Sequence, residues 1–262
     1  MTFVSFAQNF EDVLLWRALK DVERGFYVDV GAQHPTIDSV SRAFSDRGWR
    51  GIHIEPSPQY AALLRAEHPG DVVMEAAVGS VRQKVTFHHV PNTGLSTLDG
   101  AARDAAQSQN FAVEELVVNM ILLDDVLENI DEPVHWLKID VEGYEAEVIR
   151  GWTGPCRPWI LVVESTLPGK LTKTNRAWEP DILAKGYQYV WFDGLNRFYV
   201  HKDHVDLAER LALAPNVFDE AALSGEATSH FTLLLRNRIH ALEQELNTLR
   251  SPRANRKTKR LR

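Results

Sequence analysis

Residues 26–55 read FYVDVGAQHPTIDSVSRAFSDRGWRGIHIE, and this stretch decides the fold. Residues 26–30 are short and apolar and run into Gly31, the pattern of a buried parallel strand entering a turn. Residues 37–47 read as a helix closed by Gly48, and residues 51–55 as the next strand, stopped by Pro56 and Pro58. Strand, helix, strand makes a parallel unit. It carries Asp29 and Gly31 at the end of one strand and Glu55 at the end of the next, and in an open parallel sheet that carboxyl edge is where ligands bind.

Working outward, the alternation continues. A helix is predicted near 59–67, a strand near 72–77, and a strand-like segment at 84–90 before the loop 91–100. Residues 135–140 read as a strand, 144–150 as a helix ending at Gly151, and 159–165 as another apolar strand. The class is α/β, with a sheet that grows mostly in parallel. Residues 187–192 and 197–201 are also strand-like, but only Asp193, Gly194, Leu195 and Asn196 separate them, so they must pair antiparallel and end the sheet in a tight hairpin. Upstream, Phe10, Val13, Leu14, Trp16 and Leu19 recur at helical spacing over 9–20. Downstream of Pro215, Leu235, Ile239, Leu242, Leu246 and Leu249 form a four-three stripe that either packs on its own domain or pairs with a second copy. Residues 251–262 are a basic tail with almost nothing apolar, expected to be disordered.

With 262 residues and 44% hydrophobic content, the chain suffices for one α/β core with an appendage. A charged fraction of 25% and a net charge of -7 argue against a surface built to grip phosphate backbones, so nucleic acid is not an expected partner. The single cysteine, Cys156, can form neither an internal disulfide nor a cysteine-rich metal centre. The N-terminus carries acidic residues where a secretory signal would be basic, and no run approaches the roughly 20 apolar residues that cross a bilayer. A soluble, cytoplasmic protein is expected.

The strand ends carry the chemistry. Gly31 allows a close approach of backbone to ligand, and Asp29 suits an ammonium group. Ala32, Gln33, His34 and Pro35 follow, so the G-x-G-x-x-G loop that would cradle a pyrophosphate is absent. Glu55 stands where sheets of this class bond both hydroxyls of a ribose. A nucleoside without a pyrophosphate is the sum. Further on, HWLKIDVEGYEAEVIRG (135–151) brings Asp140, Glu142 and Gly143 to the same edge. Methyl transfer from a sulfonium to a hydroxyl needs in-line placement and removal of the hydroxyl proton, which a carboxylate or histidine can supply. Asp140 fits that task or the capping of the helix that follows.

In this order, DVGA (29–32), IEPSP (54–58), EAAVG (75–79), LDDVL (123–127), KIDVEGYEAEVIRG (138–151) and ILVVES (160–165) resemble the FkbM family of methyltransferases. The likeness spans about 5–217; SFAQNFEDVLLWRAL, RGWRGIHIEPSP, TGLSTLD and FDGLNRFYV look like a branch found with bacterial polysaccharide genes. The resemblance implies a Rossmann-like class I methyltransferase fold: a mostly parallel seven-stranded sheet with a C-terminal antiparallel hairpin strand, plus a C-terminal helix. It implies O-methylation with S-adenosyl-L-methionine as donor, on a sugar hydroxyl of a surface or secreted glycan. Asp29, Gly31, Glu55 and Asp140 carry over from the family pattern, and Ala32, Gln33, Pro56, Ser57 and Ala77 are the accompanying cofactor positions. Two departures stand out, Gln33 where members commonly have asparagine, and the His34-Pro35 pair in place of a second glycine.

The expected catalytic groups are Asp140, His34 and Glu142, and the expected acceptor contacts are Ser96 and Thr97 of the loop 93–97, with Glu164. Gln8, Asn9, Glu11 and Asp12 are either a lid or an ordinary helix start. Asp140, Glu142 and Glu164 can gather at one edge, yet no tight ligand spacing demands a metal, and none is expected to be required. The division is a methyltransferase domain over 1–217, a helical extension over 218–250 and the tail 251–262. A homodimer through the C-terminal helix is open. The alternatives are a nicotinamide-dependent oxidoreductase and a non-catalytic glycan-binding module with Trp178, Trp191, Phe192 and Tyr199 as stacking platforms.

Overall fold

The computed structural model describes residues 2–91, 93–167 and 170–250. Its strands are β1 (Phe3–Ser5), β2 (Phe26–Val30), β3 (Arg50–Ile54), β4 (Val72–Met74), β5 (Ala77–Gly79), β6 (Gln83–His89), β7 (Glu114–Leu122), β8 (Trp136–Ile139), β9 (Ile160–Glu164), β10 (Thr166–Leu167), β11 (Lys170–Lys173), β12 (Tyr187–Phe192), β13 (Asn196–His201) and β14 (Ala221–Leu223). Its α-helices are α1 (Glu11–Leu19), α2 (Arg42–Ser45), α3 (Pro58–Glu67), α4 (Gly100–Ser108), α5 (Leu123–Leu127), α6 (Glu145–Arg150), α7 (Glu179–Ala184), α8 (Ala208–Leu211) and α9 (Leu233–Arg250).

The large sheet runs β12-β13-β9-β8-β2-β3-β4 and is mixed. The pairings from β9 across to β4 are parallel, whereas both pairings of β13 are antiparallel. The three-residue link, 193–195, forces the β12–β13 reversal, since a parallel crossover needs a dozen residues or more. Side chains alternate across this sheet. Val28, Val30, Leu137, Ile139, Leu161 and Val163 face one apolar layer with Val148, Ile149 and Ile182 of α6 and α7. Tyr27, Trp136, Ile160 and Val162 face the other, against Leu14, Leu15 and Leu19 of α1 and Phe44 of α2. That pleat has a consequence at the carboxyl edge. Asp29 on β2 is in register with Lys138 on β8, and both share the parity of Tyr27 and Trp136; Glu164 on β9 continues the parity of Ile160 and Val162. Asp29, Lys138 and Glu164 therefore emerge on one face.

Several expected elements are corrected. The strand expected over 72–77 splits: β4 closes the large sheet, while β5 joins a separate three-stranded sheet in the order β5-β7-β6. The 84–90 segment belongs to that small sheet too, where β6 pairs antiparallel with β7 over seven residues. The helix expected over 37–47 shrinks to α2, because Asp38 sits in the left-handed region at φ 55 and pairs as an isolated bridge with Ala7. The small sheet abuts α6 at Gly151, where an added Cβ would lie 2.1 Å from the Gly79 carbonyl oxygen. The boundary expected at 217 falls before β14, which pairs in parallel with β1 and so ties the start of the extension to the N-terminal segment. None of the side chains of α9 is buried. The basic tail, 251–262, lies outside the described residues. No described helix is long and apolar enough to cross a membrane.

Candidate active site

An open cavity of about 1100 Å³, its mouth included, lies over the carboxyl ends of β2, β3, β8 and β9. Seven carboxylates line it, those of Glu11, Asp29, Asp38, Glu55, Asp140, Glu142 and Glu164, against the single ammonium of Lys138.

At the β2–β3 side the backbone does the shaping. Gly31 adopts φ +81, and an added Cβ would sit 1.8 Å from the Asp140 carbonyl oxygen, so the ends of β2 and β8 can meet only through a glycine. Gln33, also left-handed at φ 49, donates its amide to Glu55 Oε2 at 2.9 Å, and the Ser57 amide reaches Glu55 Oε1 at 2.7 Å. Burial pushes the Glu55 carboxyl up to about 7, against the pull of those two amides. Asp29 is 2% exposed, and its Oδ1 has no hydrogen-bond partner. A buried orphan oxygen of this kind calls for a donor from a ligand.

At the β8–β9 side the side chains converge. Lys138 donates to Asp140 Oδ2 at 2.6 Å; burial opposes its charge, yet Asp140, Asp29 and Glu11 hold the ammonium protonated above its ordinary range. Glu142 sits in the left-handed region at φ 51, a conformation uncommon outside glycine, and its Oε2 is buried without a partner. The turn that aims it is fixed from two sides. Glu145 Oε1 accepts the Val141 and Gly143 amides at 3.3 and 3.0 Å, and the Thr97 hydroxyl donates to the Glu142 carbonyl at 2.8 Å. Burial first, and then the charges of Asp140 and its neighbours, raise the Glu142 and Glu164 carboxyls well above the usual range. Gln33 Nε2 donates to the Thr93 carbonyl at 2.9 Å and links the two sides through the loop 93–97.

Residues 29–189 match the sequence profile described as the Methyltransferase FkbM domain. The chain belongs to that family. A search of curated protein sequences returns no match. The family supports a methyltransferase, and the cavity described above lies almost wholly within the matched segment.

In this FkbM chain the structure brings Asp29, Gly31, Ala32, Gln33, Glu55, Pro56, Ala77, Ser96, Asp140, Glu142 and Glu164 around one cavity. Three expected residues lie off its wall. His34 does not line it; its Nδ1 accepts the Thr36 and Ile37 amides at 3.2 and 3.1 Å, so the ring caps its own turn. Ser57 serves through its amide. Thr97 is 1% exposed and committed to Glu142. Ser96 lines the wall, but its hydroxyl already accepts the Val90 amide at 2.9 Å. Of the N-terminal block, Gln8 and Glu11 reach the cavity, whereas Asp12 turns inward to accept the Ser5 hydroxyl and the Phe6 and Ala7 amides. Of the expected stacking platforms, Trp178 and Tyr199 are 1% and 0% exposed and cannot serve, Trp191 is half-buried against the core, and the half-buried Phe192 ring lies under the Lys173 ammonium. Lys138 was missed. Its signal is a lysine inside the otherwise apolar strand WLKI, where a charge is costly unless paired. A second buried cluster, His53, His68 and Asp71, is structural: Asp71 already accepts from the Tyr27 hydroxyl at 2.5 Å and the Gly51 amide at 3.1 Å.

Proposed function

We propose that this FkbM methyltransferase uses S-adenosylmethionine to methylate a hydroxyl of a glycan. The observation that carries the reading is the acidic lining of the cavity, whose one basic side chain is Lys138, with a buried, unpartnered oxygen on Asp29. Such a lining favours a cationic nucleoside and repels a pyrophosphate. The nicotinamide reading loses further support because the first helix after β2 starts only at Arg42, so the Gly31 turn does not run straight into a helix N-terminus.

When bound, the donor supplies a methyl group activated on a sulfonium. Asp29 Oδ1 receives the ammonium of the donor, and Glu55, held in place by the Gln33 and Ser57 amides, receives the ribose hydroxyls. The turn carrying Glu142 and the end of β9 carrying Glu164 form the acceptor side, with Asp140 between donor and acceptor. There the carboxylates would orient the acceptor hydroxyl toward the donor's methyl group and favour loss of its proton. We take the acceptor to be a sugar of a surface glycan, as the likeness to polysaccharide-linked members implies, and the reaction to be cytoplasmic. We also take α9, whose exposed stripe includes Leu242 and Leu246, to be a surface for a second copy. Titration calorimetry tests the donor: S-adenosylmethionine and S-adenosylhomocysteine should bind and reduced nicotinamide dinucleotide should not. Binding of the dinucleotide alone would overturn the reading.

A further inference from the structure

We propose that Asp140, Glu142 and Glu164 form a binding site for a hard divalent cation, magnesium or manganese, at the acceptor side of the cavity. One carboxylate oxygen from each residue can be chosen so that all three lie within 4.8 Å of one another. Oxygens that share an octahedral magnesium ion at bond lengths of about 2.0–2.1 Å sit roughly 3–4 Å apart, so the three need to close by less than about an ångström to act as ligands.

Proximity of acids is common and would not suffice. The deciding feature is that these carboxylates lack partners. Glu164 is 6% exposed and lines the cavity, and among the described residues no hydrogen bond reaches its carboxylate. Glu142 Oε2 is sealed from solvent and equally unpartnered. Asp140 alone has a counter-charge, the Lys138 ammonium at 2.6 Å. Two of the three carboxyls thus have no counter-charge in the protein, and a divalent ion supplies one as it displaces their protons. Buried carboxyls without partners are costly, and a fold that places two of them beside Asp140, on strand ends and a pinned turn, has prepared a place for positive charge. The donor's own positive charges have other partners at Asp29 and its neighbours, across the sheet from Glu164.

Three protein oxygens leave positions of an octahedral ion open toward the cavity. An acceptor hydroxyl placed there would give up its proton more readily, because a neighbouring cation lowers its pKa. This last consequence rests on the proposed O-methyl transfer; the site itself rests on the geometry.

The test uses the full chain, freed of metal with a chelator, and titrates manganese alone with no donor present, reading free ion by electron paramagnetic resonance. One ion per chain is expected, displaced by magnesium. Glu164→Gln should weaken manganese binding at least tenfold, and Glu142→Gln, which perturbs no strand, does the same should the first variant fold poorly. S-adenosylmethionine affinity, measured separately by calorimetry, should stay within threefold in both variants, so loss of the metal site and failure of the donor reading give different results. No manganese uptake by the wild-type chain up to millimolar concentration, or unchanged uptake in a folded Glu164→Gln or Glu142→Gln chain, would overturn the proposal.

Discussion

The two halves of the cavity are built by different means. At the β2–β3 edge the main chain makes the shape: Gly31 admits the close approach to Asp140, and the Gln33 and Ser57 amides fix Glu55 before any ligand arrives. At the β8–β9 edge the side chains make the shape, and Glu142 and Glu164 are positioned without being satisfied. The first edge is preformed around the one open oxygen of Asp29 and selects by fit. The second carries unmet charge, so what binds there must bring positive charge or a proton. Position along the sheet separates a recognition surface from a reactive one, although both lie on the same pleat.

The sharpest way to break this contrast is Gly31→Ala. The new methyl would meet the Asp140 carbonyl and demand an unfavourable φ, so a cost of several kcal/mol is expected. Donor binding should fall below detection in calorimetry and the melting temperature should drop. Binding within threefold of the wild-type chain would show that the two strand ends have slack.

A middle-sized effect separates Glu55 from His34. Glu55→Ala removes a charged acceptor and should weaken donor binding by about 1–3 kcal/mol, near 5- to 150-fold. His34→Ala should change donor affinity and turnover less than threefold, since its ring is occupied by the Thr36 and Ile37 amides. A hundredfold loss of turnover in His34→Ala would return the histidine to the reacting centre.

The smallest effect sharpens the contrast through pH. Burial raises Glu55 to about 7 and Asp12 to about 6, both above the values these groups have in an unfolded chain. Between those limits the folded chain holds protons that the unfolded chain has released, so the stabilising share is full in acid and is lost as pH rises through the folded values. Without ligands, the melting temperature should fall from pH 6 to pH 8.5, with Glu55 contributing about 1 kcal/mol of the loss. Glu55→Gln should flatten part of that slope. A melting temperature that rises with pH over this range would contradict the burial-driven shift.

How much was legible follows the range of the forces involved. The β2–β3 unit and the hairpin were readable because strand length, a terminating glycine and a short link are local signals. The strand β7 was not read: its Val117 is 74% exposed and Leu116 only partly covered, so no apolar alternation announces it, and its pairing with both β5 and β6 is a long-range choice. At the site, the acids at strand ends could be named from order and spacing. That Thr97 would hold the Glu142 turn, that His34 would cap its own loop, and that Lys138 would neutralise Asp140 depended on which way side chains face after folding.

The contact of Gly79 with Gly151 bears on how such a chain can change its acceptor. Because no methyl group fits at Gly151, the small sheet is fitted directly to the end of α6, whose start carries the turn of Glu142. The wall of β5, β6 and β7 and that turn form one mechanical block, and its dimensions are inherited from backbone packing. On the proposed acceptor side, new acceptors would then be accommodated by exchanging side chains on the loop 93–97, while the frame beneath stays out of reach of single substitutions.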